Sequence, residues 1–211
     1  MSGSATRGFL VLTVAAVLGL GGCASWSNLW APPPETARPI LAEHALGRAD
    51  APVRVVAYVS FTCPHCRDWE ETVFPAFRAR FIDTGRVRFI QRELPTPPVN
   101  ASVAAVELTR CAAEERYFAM SNALFGGQGA LRASGDAEAW LTAAGKVGGL
   151  SAGQVEACLD AAPSASDAAA LAARAAENGV SGTPAFLVNG ERLQDRSLNG
   201  LEAAIVAAEG P

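Results

Sequence analysis

The sequence predicts an α/β fold in which a helical insertion separates two strand-bearing halves. Three observations carry this expectation. A near-continuous apolar run, Val53 to Val59, gives way at Cys63-Pro64-His65-Cys66 to helical spacing. From Asn100 to about Asn178 no strand pattern appears, and Ala, Leu and Glu dominate. Strand signals then return at Ala185-Phe186-Leu187-Val188, ahead of the hairpin pair Asn189-Gly190 and a last helical pattern.

The chain opens on a targeting pattern. Arg7 supplies a positive region and Phe9 to Leu20 an apolar stretch, too short for a bilayer span of about 20 apolar residues. It ends in Leu20-Gly21-Gly22-Cys23, which resembles the lipobox of bacterial lipoproteins. By that resemblance, residues 1–22 are removed and Cys23 carries the lipid. The alternatives are an ordinary signal peptide or an uncleaved anchor, and all three imply export. Residues 23–46, with Pro32-Pro33-Pro34 at their centre, read as a tether, because consecutive prolines favour an extended segment and forbid a helix. Trp26 and Trp30 could rest at a lipid interface, and His44 reads as a surface residue.

The domain is expected over residues 47–211. Val53–Val59 has the continuous apolar character of a buried central strand. From Pro64, the residues Trp69, Val73, Phe74, Phe77 and Phe81 fall on one helical face. Pro64 suits the first helical turn, Pro75 should kink the helix, and Gly85 should end it. Arg86 to Glu93 reads as a second strand, closed by the prolines at 95–98. The insertion, about 100–178, has apolar spacing suited to packed helices, with breaks at Gly126-Gly127, Gly135 and Gly148-Gly149. Arg192-Leu193 begins the returning hairpin strand. Asn199 and Glu202 resemble a capping-box variant opening a final helix with Leu201, Ile205 and Ala208 inward.

The formal net charge is −4, and loss of residues 1–22 would remove only Arg7, giving −5. Nucleic-acid binding would ask for a basic stripe, and none is present. There are five cysteines. With Cys23 set aside for lipid, four remain, and in an oxidising compartment pairs are expected. Cys63 and Cys66 make one by proximity. Cys111 and Cys158 either pair, which the chain-entropy model values at about 4 kcal/mol, or are two buried free thiols.

Cys63-Pro64-His65-Cys66 at a strand-to-helix junction places two thiols at a helix N-terminus. Unpaired N–H groups and the helix dipole there favour a thiolate. One cysteine becomes a nucleophile and the next its resolving partner, as disulfide exchange requires. The competing interpretation is a static disulfide or half of a zinc site.

The order strand, CxxC, helix, strand, helical insert, then Val180-Ser181-Gly182-Thr183-Pro184 before a hairpin and helix, resembles the DsbA-like thiol:disulfide oxidoreductases of the thioredoxin fold. The likeness runs from about Gly47 to Glu209, with further matches at Phe81-Ile82-Asp83-Thr84-Gly85 and Leu124-Phe125. It implies that Cys63 is the exposed nucleophile and Cys66 the resolving thiol. Thr183 before a cis Pro184 would present backbone to an extended substrate. Pro64 and His65 lie between the cysteines, where His65 should favour the Cys63 thiolate; the alternative is a plain solvent-exposed histidine. Cys111 and Cys158 sit where many members carry a second pair. Some relatives have a buried acid six residues before the first cysteine, where this chain has Ala57. Asp68 and Glu70 read as solvated helix surface.

The resemblance implies no cofactor and no metal beyond the redox-active pair. The implied partners are thiols of exported proteins, a membrane redox partner that recycles the pair, and a bilayer reached through Cys23, in the cell envelope or periplasm. Three functions compete: an oxidase, a reductase or isomerase with electron flow reversed, and a copper-handling lipoprotein. The last is weakened because no histidine follows His65 as a further ligand.

Overall fold

The computed structural model describes residues 39–160 and 165–210. The leader, Cys23, Trp26, Trp30 and the triple proline lie outside the described residues. A five-stranded sheet runs in the order β1-β3-β2-β4-β5. Its strands are β1 (His44–Leu46), β2 (Val53–Val59), β3 (Val87–Glu93), β4 (Ala185–Val188) and β5 (Glu191–Leu193). β2 and β3 are parallel, with Val55 opposite Phe89, and the other pairings are antiparallel. β2 is central and buried along its length except at Arg54, which accounts for its unbroken apolar pattern.

β1 corrects the expected tether. Residues 44–46 belong to the sheet, with His44 opposite Gln91. His44 is not a surface residue: it is 3% exposed and lies flat on the Tyr117 ring, 3.5 Å between centroids. Gly47 leaves the strand at φ +85°, where a Cβ would meet the Val87 carbonyl oxygen at 2.3 Å, so only glycine fits.

The helix after Cys63 breaks as Pro75 requires. α1 (Pro64–Thr72) ends at Val73, and α2 (Phe74–Phe77) runs into a π-helical turn, Arg78–Ile82. Pro75 has no N–H to bond the carbonyl four residues back. Trp69, Phe74, Phe77 and Phe81 pack against Phe89 of β3 and Phe186 of β4, with Trp69 and Phe186 centroids 4.7 Å apart.

The insertion is helical throughout its described length: α3 (Val99–Cys111), α4 (Tyr117–Gly126), α5 (Gln128–Ser134), α6 (Ala137–Val147), α7 (Ala152–Asp160) and α8 (Ala165–Glu177). Cys111 at the end of α3 and Cys158 in α7 are joined in a disulfide, Cα atoms 6.4 Å apart. The last helix, α9 (Leu198–Glu209), is capped differently from the expected box. Ser197 is the N-cap, its hydroxyl accepting from the Gly200 N–H at 3.1 Å. Leu201 and Ile205 face inward, fully buried. Among the described residues, no helix is long and apolar enough to cross a membrane.

Candidate active site

The site forms where the central strand ends. Cys63 is the N-cap of α1 with Pro64 in the first turn, a position where a missing N–H costs nothing. The Cys66 and Arg67 N–H groups both donate to the Cys63 carbonyl, each at 3.2 Å. Both thiols are free. Cys63 retains 8% of its surface and Cys66 only 1%, so the expected exposed nucleophile offers a narrow opening.

The two thiols differ sharply. The Cys66 thiol donates to the Cys63 sulfur and, against the cost of partial burial, holds its pKa down to about 5. The nearby Thr183 hydroxyl and the N–H groups of Cys66 and His65 add to this. Burial pushes the Cys66 thiol far above its ordinary range, reinforced by the neighbouring Cys63. The His65 ring is exposed, and it is the His65 backbone N–H that acts on the Cys63 sulfur. The helix N-terminus therefore does what the imidazole was expected to do.

Far along the sequence, Thr183-Pro184 is a cis peptide. It sets the Thr183 carbonyl oxygen 3.5 Å from Cys63 Sγ, a distance at which the protonated thiol donates to it. Arg196 Nη1 donates to the Pro184 carbonyl at 3.1 Å and braces the loop. Cys63, Cys66, Thr183 and Pro184 thus converge, with Pro64 and His65 on the helix edge above them. Ala57 is buried in β2 and contributes no acid.

Several contributors were not anticipated. Gln128, 1% exposed, reaches from α5 to donate to the carbonyls of Phe61 at 2.8 Å and Cys63 at 3.1 Å. Thr62 and Ser60 hold the loop from behind through hydroxyl contacts. A mostly apolar groove of about 480 Å³ lies beside Thr62, walled by Pro98, Ala101, Ala104, Leu131 and Leu141. Glu70 is not solvated helix surface: burial lifts its carboxyl to about 7. The Asn122 amide, turned so that its nitrogen faces the Phe118 carbonyl, donates to Glu70 Oε1 at 2.7 Å. Among the described residues, no group of three or more His, Cys, Asp or Glu side chains could hold a metal ion.

A family model described as thioredoxin matches residues 41–207. The chain belongs to the thioredoxin family. Within it, the fold is DsbA-like. BdbD from Bacillus subtilis superposes with a TM-score of 0.70 at 20% identity, covering 80% of this chain and 94% of that one. Alpha-DsbA1 from Wolbachia pipientis superposes with a TM-score of 0.70 at 22% identity, covering 82% and 93%. A protein named as a protein-disulfide oxidoreductase in Rickettsia typhi is 30% identical over 167 residues. That match takes in 76% of this chain and 59% of the relative, so the chain spans less than two thirds of that protein's length.

Proposed function

We propose that this thioredoxin-family protein is a thiol:disulfide oxidoreductase that passes a Cys63–Cys66 disulfide to thiols of exported proteins, acting as an oxidase. The observation that carries this reading is the opposed character of the two thiols, Cys63 drawn down to about 5 and Cys66 pushed up. A Cys63 that is thiolate at neutral pH favours the reduced form, so the disulfide is readily given up. The names of the relatives support the same chemistry.

In this mechanism a substrate thiolate attacks Cys63 Sγ, the sulfur nearer the surface. A mixed disulfide forms and Cys66 departs with the electron pair. A second substrate thiolate then displaces Cys63, whose stabilised thiolate is a good leaving group. Thr183 and Pro184 offer backbone to an extended substrate strand, a mode that tolerates many sequences. The groove beside Thr62 suits an apolar side chain of that substrate. The reaction needs no cofactor, and a membrane redox partner would reoxidise the pair.

Equilibration of the protein with glutathione tests the direction. A potential near about −120 mV supports the oxidase, whereas about −230 mV or below would make the protein a reductase. Cys63→Ser should abolish exchange and Cys66→Ser should accumulate mixed disulfides with substrates. Turnover retained by Cys63→Ser would overturn the mechanism.

Leu20-Gly21-Gly22-Cys23 supports export with lipid attachment at Cys23. Labelled palmitate should enter the protein, and Cys23→Ala should lose the label and leave the membrane fraction.

A further inference from the structure

Resting on that reading, we infer that Ser60 builds the leaving-group site for Cys66: its backbone N–H receives the thiolate expelled when the Cys63–Cys66 disulfide opens, and its buried hydroxyl holds that N–H in place. The Ser60 N–H donates to Cys66 Sγ at 3.4 Å. Ser60 and Cys66 are each 1% exposed, so this donor sits in the covered part of the site beside the sulfur it serves.

The hydroxyl of Ser60 is a hub. Its Oγ lies 2.9 Å from both Ser102 Oγ and Thr96 Oγ1, and 3.1 Å from Thr62 Oγ1. It also accepts from the Thr96 N–H at 3.2 Å and the Thr62 N–H at 3.4 Å. Three segments are tied at one atom: the loop leading into α1, the segment after β3, and helix α3 of the insertion. Thr62 closes the circuit by donating to the Thr96 carbonyl at 2.9 Å. A lone serine on a loop would let its peptide plane rock. Here the carbonyl of the same peptide plane, that of Val59, accepts from the Leu94 N–H at 2.8 Å, and the Ser60 hydroxyl anchors the other side.

The chemistry places a demand at this point. When a substrate thiolate attacks Cys63 Sγ, a new S–S bond forms and the Cys63–Cys66 bond breaks. The electron pair leaves on Cys66 Sγ, inside a site where burial disfavours a thiolate. Exchange is faster with a leaving thiol of lower pKa, so a donor preset at that sulfur acts as oxyanion-hole donors do. Solvent supplies the proton that later neutralises Cys66. A second substrate thiolate then releases Cys63, so two electrons pass from a substrate dithiol to the pair. The Ser60 N–H touches a reacting atom, while the Ser60 side chain is a positioning group acting through it.

The test is single-turnover reduction of the oxidised full chain by dithiothreitol, read by tryptophan fluorescence, for wild type, Ser60→Ala and Ser102→Ala. Ser60→Ala should slow opening on the order of tenfold, the scale of a weakened preorganised donor, and Ser102→Ala should slow it less. Alkylation of Cys66 in a Cys63→Ser background should also slow at a given pH when Ser60→Ala is added. The alkylation midpoint of Cys63 should stay near 5 in Ser60→Ala, since its stabilising donors are elsewhere; general loosening of the loop would move it. Unchanged opening rates in Ser60→Ala overturn the inference, as does unchanged opening in Ser102→Ala should Ser60→Ala fail to fold. Wild-type protein that does not exchange with dithiothreitol would instead overturn the oxidoreductase reading itself.

Discussion

Two cysteines three positions apart behave as opposites because α1 starts between them. Cys63 faces the His65 and Cys66 N–H groups of the first turn, and Cys66 has already turned into the core. The fold draws the Cys63 pKa below its ordinary value, so the gain is complete above the ordinary thiol range and is lost as pH falls through about 5. At pH 7, between the two values, part of that gain is present and favours the reduced fold. Iodoacetamide alkylation of reduced protein should therefore titrate with a midpoint near 5. The difference in melting temperature between reduced and oxidised protein should shrink as pH falls from 7 to 5. These residues were legible in the sequence because spacing and residue type alone define them. Ser60, Thr62 and Gln128 were not, since a serine, a threonine and a glutamine become part of the site only through the tertiary contacts they make.

At the scale of the element, apolar periodicity located β2, β3, β4 and the long helices, each of which buries a continuous face. It failed where burial is achieved by polar residues. β1 is only three residues long, and its buried side chain is a histidine stacked on a tyrosine, so no apolar pattern announces it. Glu70 was misjudged for the same reason: a charge at a helical position reads as surface until the neighbouring helix is in place. Its raised carboxyl makes a prediction with a definite sign. The carboxylate is disfavoured by the fold, a cost absent below the ordinary carboxyl pKa and growing as pH rises to about 7. Glu70→Gln should raise stability by about 1–3 kcal/mol at pH 8 and leave it unchanged at pH 4. Urea unfolding at the two pH values checks this.

Across the whole molecule, the insertion is tied to the sheet chemistry at one end and stapled to itself at the other. The Cys111–Cys158 bridge spans a sequence separation of 47, and constraint of a loop this long is worth about 4 kcal/mol in the chain-entropy model. Replacing both cysteines with serine should lower the melting temperature by roughly 10 °C. Because the bridge joins α3 to α7, away from Cys63, the rate of exchange with dithiothreitol should be unaltered at 25 °C. Calorimetry and stopped-flow measurements on the same protein separate the two effects. Gln128 bears on both, because it is buried and grips two carbonyls of the catalytic loop. Its loss should lower the melting temperature as well as disturb the site. Gln128→Ala should slow exchange several-fold, measured in the same assay.

The short strand at His44–Leu46 also decides where this protein can be shortened. A fragment starting at Gly47 would strip the partner from β3 and turn it into an open edge, a template for pairing with other chains. It would also uncover the Tyr117 ring, whose hydroxyl donates to the buried Glu93. Such a fragment should self-associate, whereas one that begins ahead of Pro39 keeps its edge covered and stays dispersed. Light scattering of the two at equal concentration would tell them apart.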